Sequence, residues 1–151
     1  MSLISADLVE LDLDHVAHDR AGATRALAQR LADAGRVTDV DGFLADVAAR
    51  EAQMPTGIEG GIGIPHARST FVTEPTLAFG RTSDGVDFGA ADGPAHLVFL
   101  IAAPAEGDAD HMTILSSLAR RLVHQSFRQA LLDAADPEAV VDLVTREVVN
   151  R

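Results

Sequence analysis

Cysteine, lysine, tryptophan and tyrosine are all missing from this 151-residue chain. Without cysteine there is no disulfide framework, no thiolate metal site and no thiol nucleophile. Without lysine there is no Walker-type phosphate loop, no Schiff base and no ammonium clamp for a phosphate. All twelve positive charges are arginines, set against 23 acidic residues, and the net charge is −11. A field of that sign repels nucleic acid and anionic lipid and favours basic partners. No apolar run approaches the roughly 18 residues of a membrane-spanning helix, and Met1–Ser2 leads directly into a strand-like pattern. These features predict a cytoplasmic protein that neither enters a membrane nor binds nucleic acid. Covalent chemistry is left to Ser, Thr, His, Asp and Glu.

With 47% apolar residues, a chain of this length can bury a full core, and one domain spanning 1–151 is expected. Val9, Leu11 and Leu13 alternate with acidic residues, which predicts a half-buried strand. Asp19 is placed to cap a helix with Ala23, Leu27, Leu31 and Ala34 on one stripe, stopped by Gly35. Thr38 and Asp41 resemble a capping box. The next helix carries Phe43, Val47 and Arg50 at one-turn spacing, so Arg50 sits on its inward edge near the last turn. Thr76–Thr82 and Val86–Phe88 read as two strands joined across Ser83-Asp84-Gly85. The continuous run Leu97–Ala102 predicts a central strand covered on both faces. Asp108 or Asp110 can cap a helix with His111, Leu115, Leu118 and Leu122 inward. A shorter helix follows near Ser126–Leu132, and Asp136-Pro137 opens the last one. The expected fold is α/β, a mixed parallel and antiparallel sheet of about five strands with helices on both faces.

The segment from Thr56 to Arg68 carries the chemistry. Four glycines, Gly57, Gly60, Gly61 and Gly63, fall within seven residues. Such a loop can take positive φ, approach a ligand closely and form an anion-binding nest. Pro65 fixes its own φ and pushes Ile64 toward an extended shape, so His66 is delivered from a stiff dipeptide. A nucleophilic imidazole needs one nitrogen free and the other held as a donor. The loop does not open a helix, which excludes a dinucleotide fingerprint. The plainer alternative is a strand end beside a flexible loop.

The segment resembles the phosphorylation motif of the fructose/mannitol family of enzyme IIA domains of the sugar phosphotransferase system. Arg50-Glu51, Thr56-Gly57-Ile58 and Gly63-Ile64-Pro65-His66-Ala67-Arg68 are similar to the family in order and spacing. So are the Asp87–Gly93 turn, Leu97–Ala102, the His111–Leu122 helix, Phe127-Arg128 and Leu131-Leu132. The resemblance implies a phosphoryl relay without cofactor or metal. His66 would accept phosphate on Nε2 from the phosphohistidine of HPr and pass it to a cysteine on a IIB domain. His111 would be the second active-site histidine and Arg50 the arginine near the phosphoryl group. Thr56, Gly57, Gly61, Gly63 and Pro65 would form the phosphate loop. Physics is consistent with these roles. Phosphoryl transfer is mostly positioning and electrostatics, Arg50 offers a planar fork, and a helix N-terminus favours a neutral His111.

Each residue also has a plainer role. Arg50 can cap its own helix, His111 can pack on an apolar stripe, and Arg68 can sit on the surface and orient the loop. His15, His18, His96 and His124 have no motif around them. Glu59 adds a negative charge to the loop and has to point away from a phosphate, and Met54-Pro55 stiffens its approach. Lacking cysteine, the chain must hand its phosphate to a separate protein. Two further readings compete. One is a nitrogen-type regulatory IIA protein, phosphorylated on the same histidine and acting by binding partners. The other is a metal module built on His66 and His111, disfavoured by the missing third ligand and by Arg50.

Overall fold

The computed structural model describes residues 3–106 and 110–149, and the side chains within them except at 110–112 and 149. Six strands among the described residues form one sheet: β1 (Val9–Glu10), β2 (Gly57–Ile58), β3 (Ile62–Gly63), β4 (His66–Ser69), β5 (Thr76–Val86) and β6 (Ala95–Pro104). The order is β1-β5-β6-β3-β2, with β4 also on β6. β6 is antiparallel to β5 and parallel to β3 and β4. The mixed sheet is the one expected, with one strand more.

β6 is central because seven of its residues in succession, Leu97 to Ala103, are buried. Its two faces feed two cores. Val98, Leu100 and Ala102 pack with Leu27 and Leu31 of α1 (Arg20–Asp33) and with Phe43 and Val47 of α2 (Val40–Gln53). Leu97, Phe99 and Ile101 face α3 (Asp110–Leu122), α4 (Gln125–Asp133) and α5 (Pro137–Val144) through Leu118, Leu122, Leu131 and Val144. On that side the Phe79 and Phe99 rings meet at 4.9 Å between centroids. Each fully buried Leu or Phe contributes roughly 1.5–3 kcal/mol, so both helical layers are bound to the sheet by hydrophobic burial.

Local signals set the helix ends. Asp19 accepts from the Gly22 N–H at 2.7 Å, and Asp136 accepts from the Ala139 N–H at 2.9 Å with Pro137 at the first helical position. Gly35, at φ 78°, closes α1. The expected α3 caps at 108 and 110 lie outside the described residues or side chains.

Three expectations are corrected. The strand over Val9–Leu13 shrinks to Val9–Glu10, and a tight helical turn at Leu13–His15 replaces the rest. Asp39, not Thr38, caps α2, taking the Gly42 N–H at 3.1 Å, while the Thr38 hydroxyl donates to the Phe71 carbonyl. Ser83-Asp84-Gly85 is no hairpin turn. β5 runs through it with a break in register against β6 between Arg81 and Val86, and the Asp14 carboxylate accepts from the Thr82 hydroxyl and from the Ser83 and Asp84 N–H groups.

Candidate active site

β4 begins at His66, which pairs with Ile101 of β6. Pro65 places the imidazole there by two constraints. It cannot donate a ladder hydrogen bond, and its carbonyl accepts from the Ile101 N–H at 3.0 Å. The ring turns back so that Nδ1 lies 2.8 Å from the Ile64 carbonyl oxygen. A carbonyl only accepts, so Nδ1 carries the proton, and a neutral ring then presents its lone pair on Nε2. His66 is half-buried.

The imidazole lines a cavity of about 410 Å³ at the sheet edge, together with Asp46, Ala49, Arg50 and Gln53 of α2, Ala67 and Arg68 of β4, and Leu115 of α3. His66 and Arg68 are two residues apart on one strand and therefore project to the same face. The Arg68 guanidinium donates to the Ala105 carbonyl at 3.1 Å. Arg50 reaches the cavity from the last turn of α2 and is half-buried. The structure thus brings His66 and Arg50 together and adds Arg68. Two guanidiniums and one carboxylate, Asp46, leave the cavity walls more positive than a protein of net charge −11 would suggest. Position 111 lies in α3, one turn before Leu115, but the His111 side chain is outside the described residues.

The other expected loop residues make contacts within the fold. Thr56 is buried; its hydroxyl and its N–H both point to the Glu51 carboxylate, the N–H at 3.4 Å. The Gly57 N–H donates to the Phe88 carbonyl and the Gly60 N–H to Asp92, both at 3.0 Å. The Gly61 carbonyl accepts from both the His96 and Leu97 N–H groups. Only Gly60 and Gly61 need positive φ, at 104° and 78°. Gly57 and Gly63 are needed for room: a Cβ would stand 2.6 Å from the Phe88 carbonyl oxygen at 57 and 2.7 Å from the Phe88 ring at 63. Ile62 pairs with Leu97 and His66 with Ile101, so the β2–β3 hairpin and the imidazole stand four residues apart along β6, about 13 Å. The glycine hairpin thus stands apart from the imidazole, with these polar groups used inside the fold. Glu59 is exposed at its tip.

A second groove, about 700 Å³, runs between α1 and α2, lined by Leu44, Val47 and Ala48 with Arg20, Arg25 and Glu51 at its polar margin; it holds no imidazole. Among the described residues no group of three or more His, Asp or Glu is arranged to hold a metal ion, and no helix is long and apolar enough to cross a membrane. Sequence reasoning missed Glu51 and Arg20, whose side chains meet at 3.5 Å behind the site. Glu51 stands beside Arg50 in the family motif, but nothing local pairs it with Thr56.

Residues 2–147 match the sequence model of the family described as phosphoenolpyruvate-dependent sugar phosphotransferase system, EIIA 2. The chain is 42% identical over 139 residues to the fructose-specific EIIA component of Haloferax volcanii, covering 91% of this chain and 90% of that protein. It is 41% identical over 114 residues to the fructose-specific EIIABC component of Bacillus subtilis, where it covers 75% of this chain but spans only 18% of the larger protein. Among solved structures it is similar to the nitrogen regulatory protein IIA-Ntr of Neisseria meningitidis, with a TM-score of 0.85 at 27% identity over 95% of this chain and 97% of that one. It is also similar to the mannitol IIA of Escherichia coli, with a TM-score of 0.77 at 25% identity over 93% and 97%. The family match along nearly its full length makes the chain a member of the EIIA 2 family of the sugar phosphotransferase system, a phosphotransferase component of sugar transport.

Proposed function

We propose that the chain is a fructose-type phosphocarrier that takes a phosphoryl group from phosphorylated HPr onto Nε2 of His66 and gives it to a cysteine of a IIB domain or protein. The observation that carries this reading is the Nδ1 contact to the Ile64 carbonyl. It leaves Nε2 as the nucleophile, in a cavity that Arg50 shares. The Nε2 lone pair forms the new N–P bond while the donor's N–P bond breaks and its electron pair returns to the donor ring. The proton stays on Nδ1, donated to the Ile64 carbonyl, throughout. Arg50 neutralises charge on the equatorial oxygens, and His111 from α3 donates an N–H to them. One phosphohistidine-type bond replaces another, so aligning donor and acceptor is the main task, and neither metal nor cofactor is needed.

Sequence identity supports fructose-type transport over nitrogen regulation, at 42% against 27%. The acidic surface suits a docking face that is basic and apolar, with the association rate set by rim charges. The test follows labelled phosphate from HPr to this protein, then to a IIB protein and to fructose. Label on His66 that moves on to IIB and fructose is the expected result. Label on another residue sinks the assignment, and label that stays on His66 with a IIB partner present favours the regulatory reading.

A further inference from the structure

We infer that Glu51 is a positioning residue for the transfer: through Thr56 it fixes the peptide that holds the His66 proton on Nδ1. The inference rests on the reading of His66 as phosphoryl acceptor and names what prepares it.

Successive helical residues point about 100° apart. In the last turn of α2, Arg50 therefore enters the cavity while Glu51 turns inward, where its side chain is only 9% exposed. A carboxylate so deeply placed must be partnered. Its partners are the Thr56 hydroxyl, the Thr56 N–H and the Arg20 guanidinium. Arg20 is itself held, donating to the Asp87 carbonyl at 2.9 Å and lying 5.6 Å over the Phe88 ring. The chain of contacts continues toward the imidazole. The Thr56 carbonyl accepts from the Ile64 N–H at 3.1 Å, and the Ile64 carbonyl accepts from His66 Nδ1 at 2.8 Å.

Pro65 has no N–H, so the Ile64 N–H is the last backbone donor before the histidine. Its partner is the Thr56 carbonyl, and Glu51 decides where Thr56 stands. One helix end thus acts on the reaction twice: Arg50 meets the cavity, and Glu51 sets the tautomer of the ring within it. A structural role alone would affect stability. A positioning role also affects which imidazole nitrogen is free.

The experiment uses the full chain with ¹⁵N-labelled histidine. It reads the His66 tautomer by NMR, the phosphorylated nitrogen after reaction with phospho-HPr, and the rate of acceptance. The wild type is expected to hold the proton on Nδ1 and carry phosphate on Nε2. Glu51→Ala and Thr56→Val should mix the tautomers and slow acceptance by up to roughly 100-fold, the scale of a small misplacement of reacting groups. Glu51→Gln, which keeps an acceptor, should lose less, and Thr56→Ser should restore the wild-type tautomer. Folded variants with unchanged tautomer and rate overturn the inference. So does a wild-type His66 protonated on Nε2, which needs no variant. A wild type that takes no phosphate on His66 fails one step earlier and overturns the phosphocarrier reading as well. Because Thr56→Val removes only one hydroxyl, it decides the matter should Glu51→Ala not fold.

Discussion

Two stretches lie end to end along the same side of β6. β3 pairs with Leu97 and Val98; β4 begins four residues further on, where His66 meets Ile101. The β2–β3 end is closed. Its glycine donors go to Phe88 and Asp92, the Gly61 carbonyl takes two N–H groups, and the Phe88 ring fills the space a side chain at Gly63 would need. The β4 end is open, with a half-buried imidazole lining a cavity that two guanidiniums, of Arg50 and Arg68, also line. Glycine in this motif provides close packing, and proline provides the aim. The imidazole end adjoins a glycine end whose groups are spent on internal contacts.

Removing the reactive groups gives the largest expected effects. His66→Ala should abolish phosphoryl acceptance, and any label it still takes from phospho-HPr would break the contrast between the two ends. Arg50→Ala should leave the fold intact and slow acceptance by roughly 100–1000-fold, about 3–4 kcal/mol of transition-state stabilisation. His111→Ala is expected in the same range. Single-turnover rates with phospho-HPr measure each. If Arg50→Ala has wild-type rates, the arginine only caps α2.

The closed end should respond in the opposite way. Gly63→Ala forces a methyl group to within 2.7 Å of Phe88, which is itself fully buried and has nowhere to move. Overpacking of this kind costs about 1–3 kcal/mol, visible as a lower urea midpoint. The variant protein that remains folded should still accept phosphate at the normal rate. A large rate loss with unchanged stability would return Gly63 to the phosphate site.

What could be read from sequence follows the range of the forces involved. Asp19 and Asp136-Pro137 act on N–H groups three residues away and were legible. So was β6, whose unbroken apolar run matches burial on both faces. The failures share a cause in distant partners. Asp14 reads as the solvent side of an alternating strand, but its carboxylate is used some 70 residues away, on the β5 irregularity at Thr82–Asp84. Thr38 reads as a cap, but its hydroxyl faces the Phe71 carbonyl, and Asp39 takes the cap. At the site, Pro65-His66 was legible because it is local stiffness. The Glu51–Thr56 pairing, only five residues apart, was not, because Thr56 lies past the end of α2, where no helical period says which way its side chain turns.

Asp14 gives a smaller, pH-dependent test on the sheet's far side. The Thr82 hydroxyl first, then the Ser83 N–H, lower its pKa below the ordinary carboxylate value; desolvation opposes them, and the Asp84 N–H adds a smaller lowering. A group with a lowered folded pKa stabilises above its unfolded value of about 3.9, and that contribution fades as pH falls through the folded pKa. Asp14→Asn should therefore flatten the acid limb of the stability curve, measured by urea unfolding between about pH 2 and pH 6. It should leave phosphoryl acceptance unchanged at neutral pH. An acid limb as steep as the wild type's would mean other carboxylates carry it.

Glu59 should matter least, although its place in the motif suggests otherwise. A carboxylate in a phosphate cradle would repel the incoming dianion, and its removal would speed acceptance. Here it is exposed at the tip of the closed hairpin, before Ile62, which itself stands about 13 Å along β6 from His66. That separation exceeds the Debye length of about 8 Å at physiological salt, so its field is largely screened at the imidazole. Glu59→Gln should leave the acceptance rate unchanged and stability within about 0.5 kcal/mol. Lowering the salt sharpens the test. If the rate of Glu59→Gln then rises well above wild type with an anionic small-molecule phosphoryl donor such as acetyl phosphate, the hairpin tip reaches the phosphate after all, and the two ends of the β6 edge form a single site.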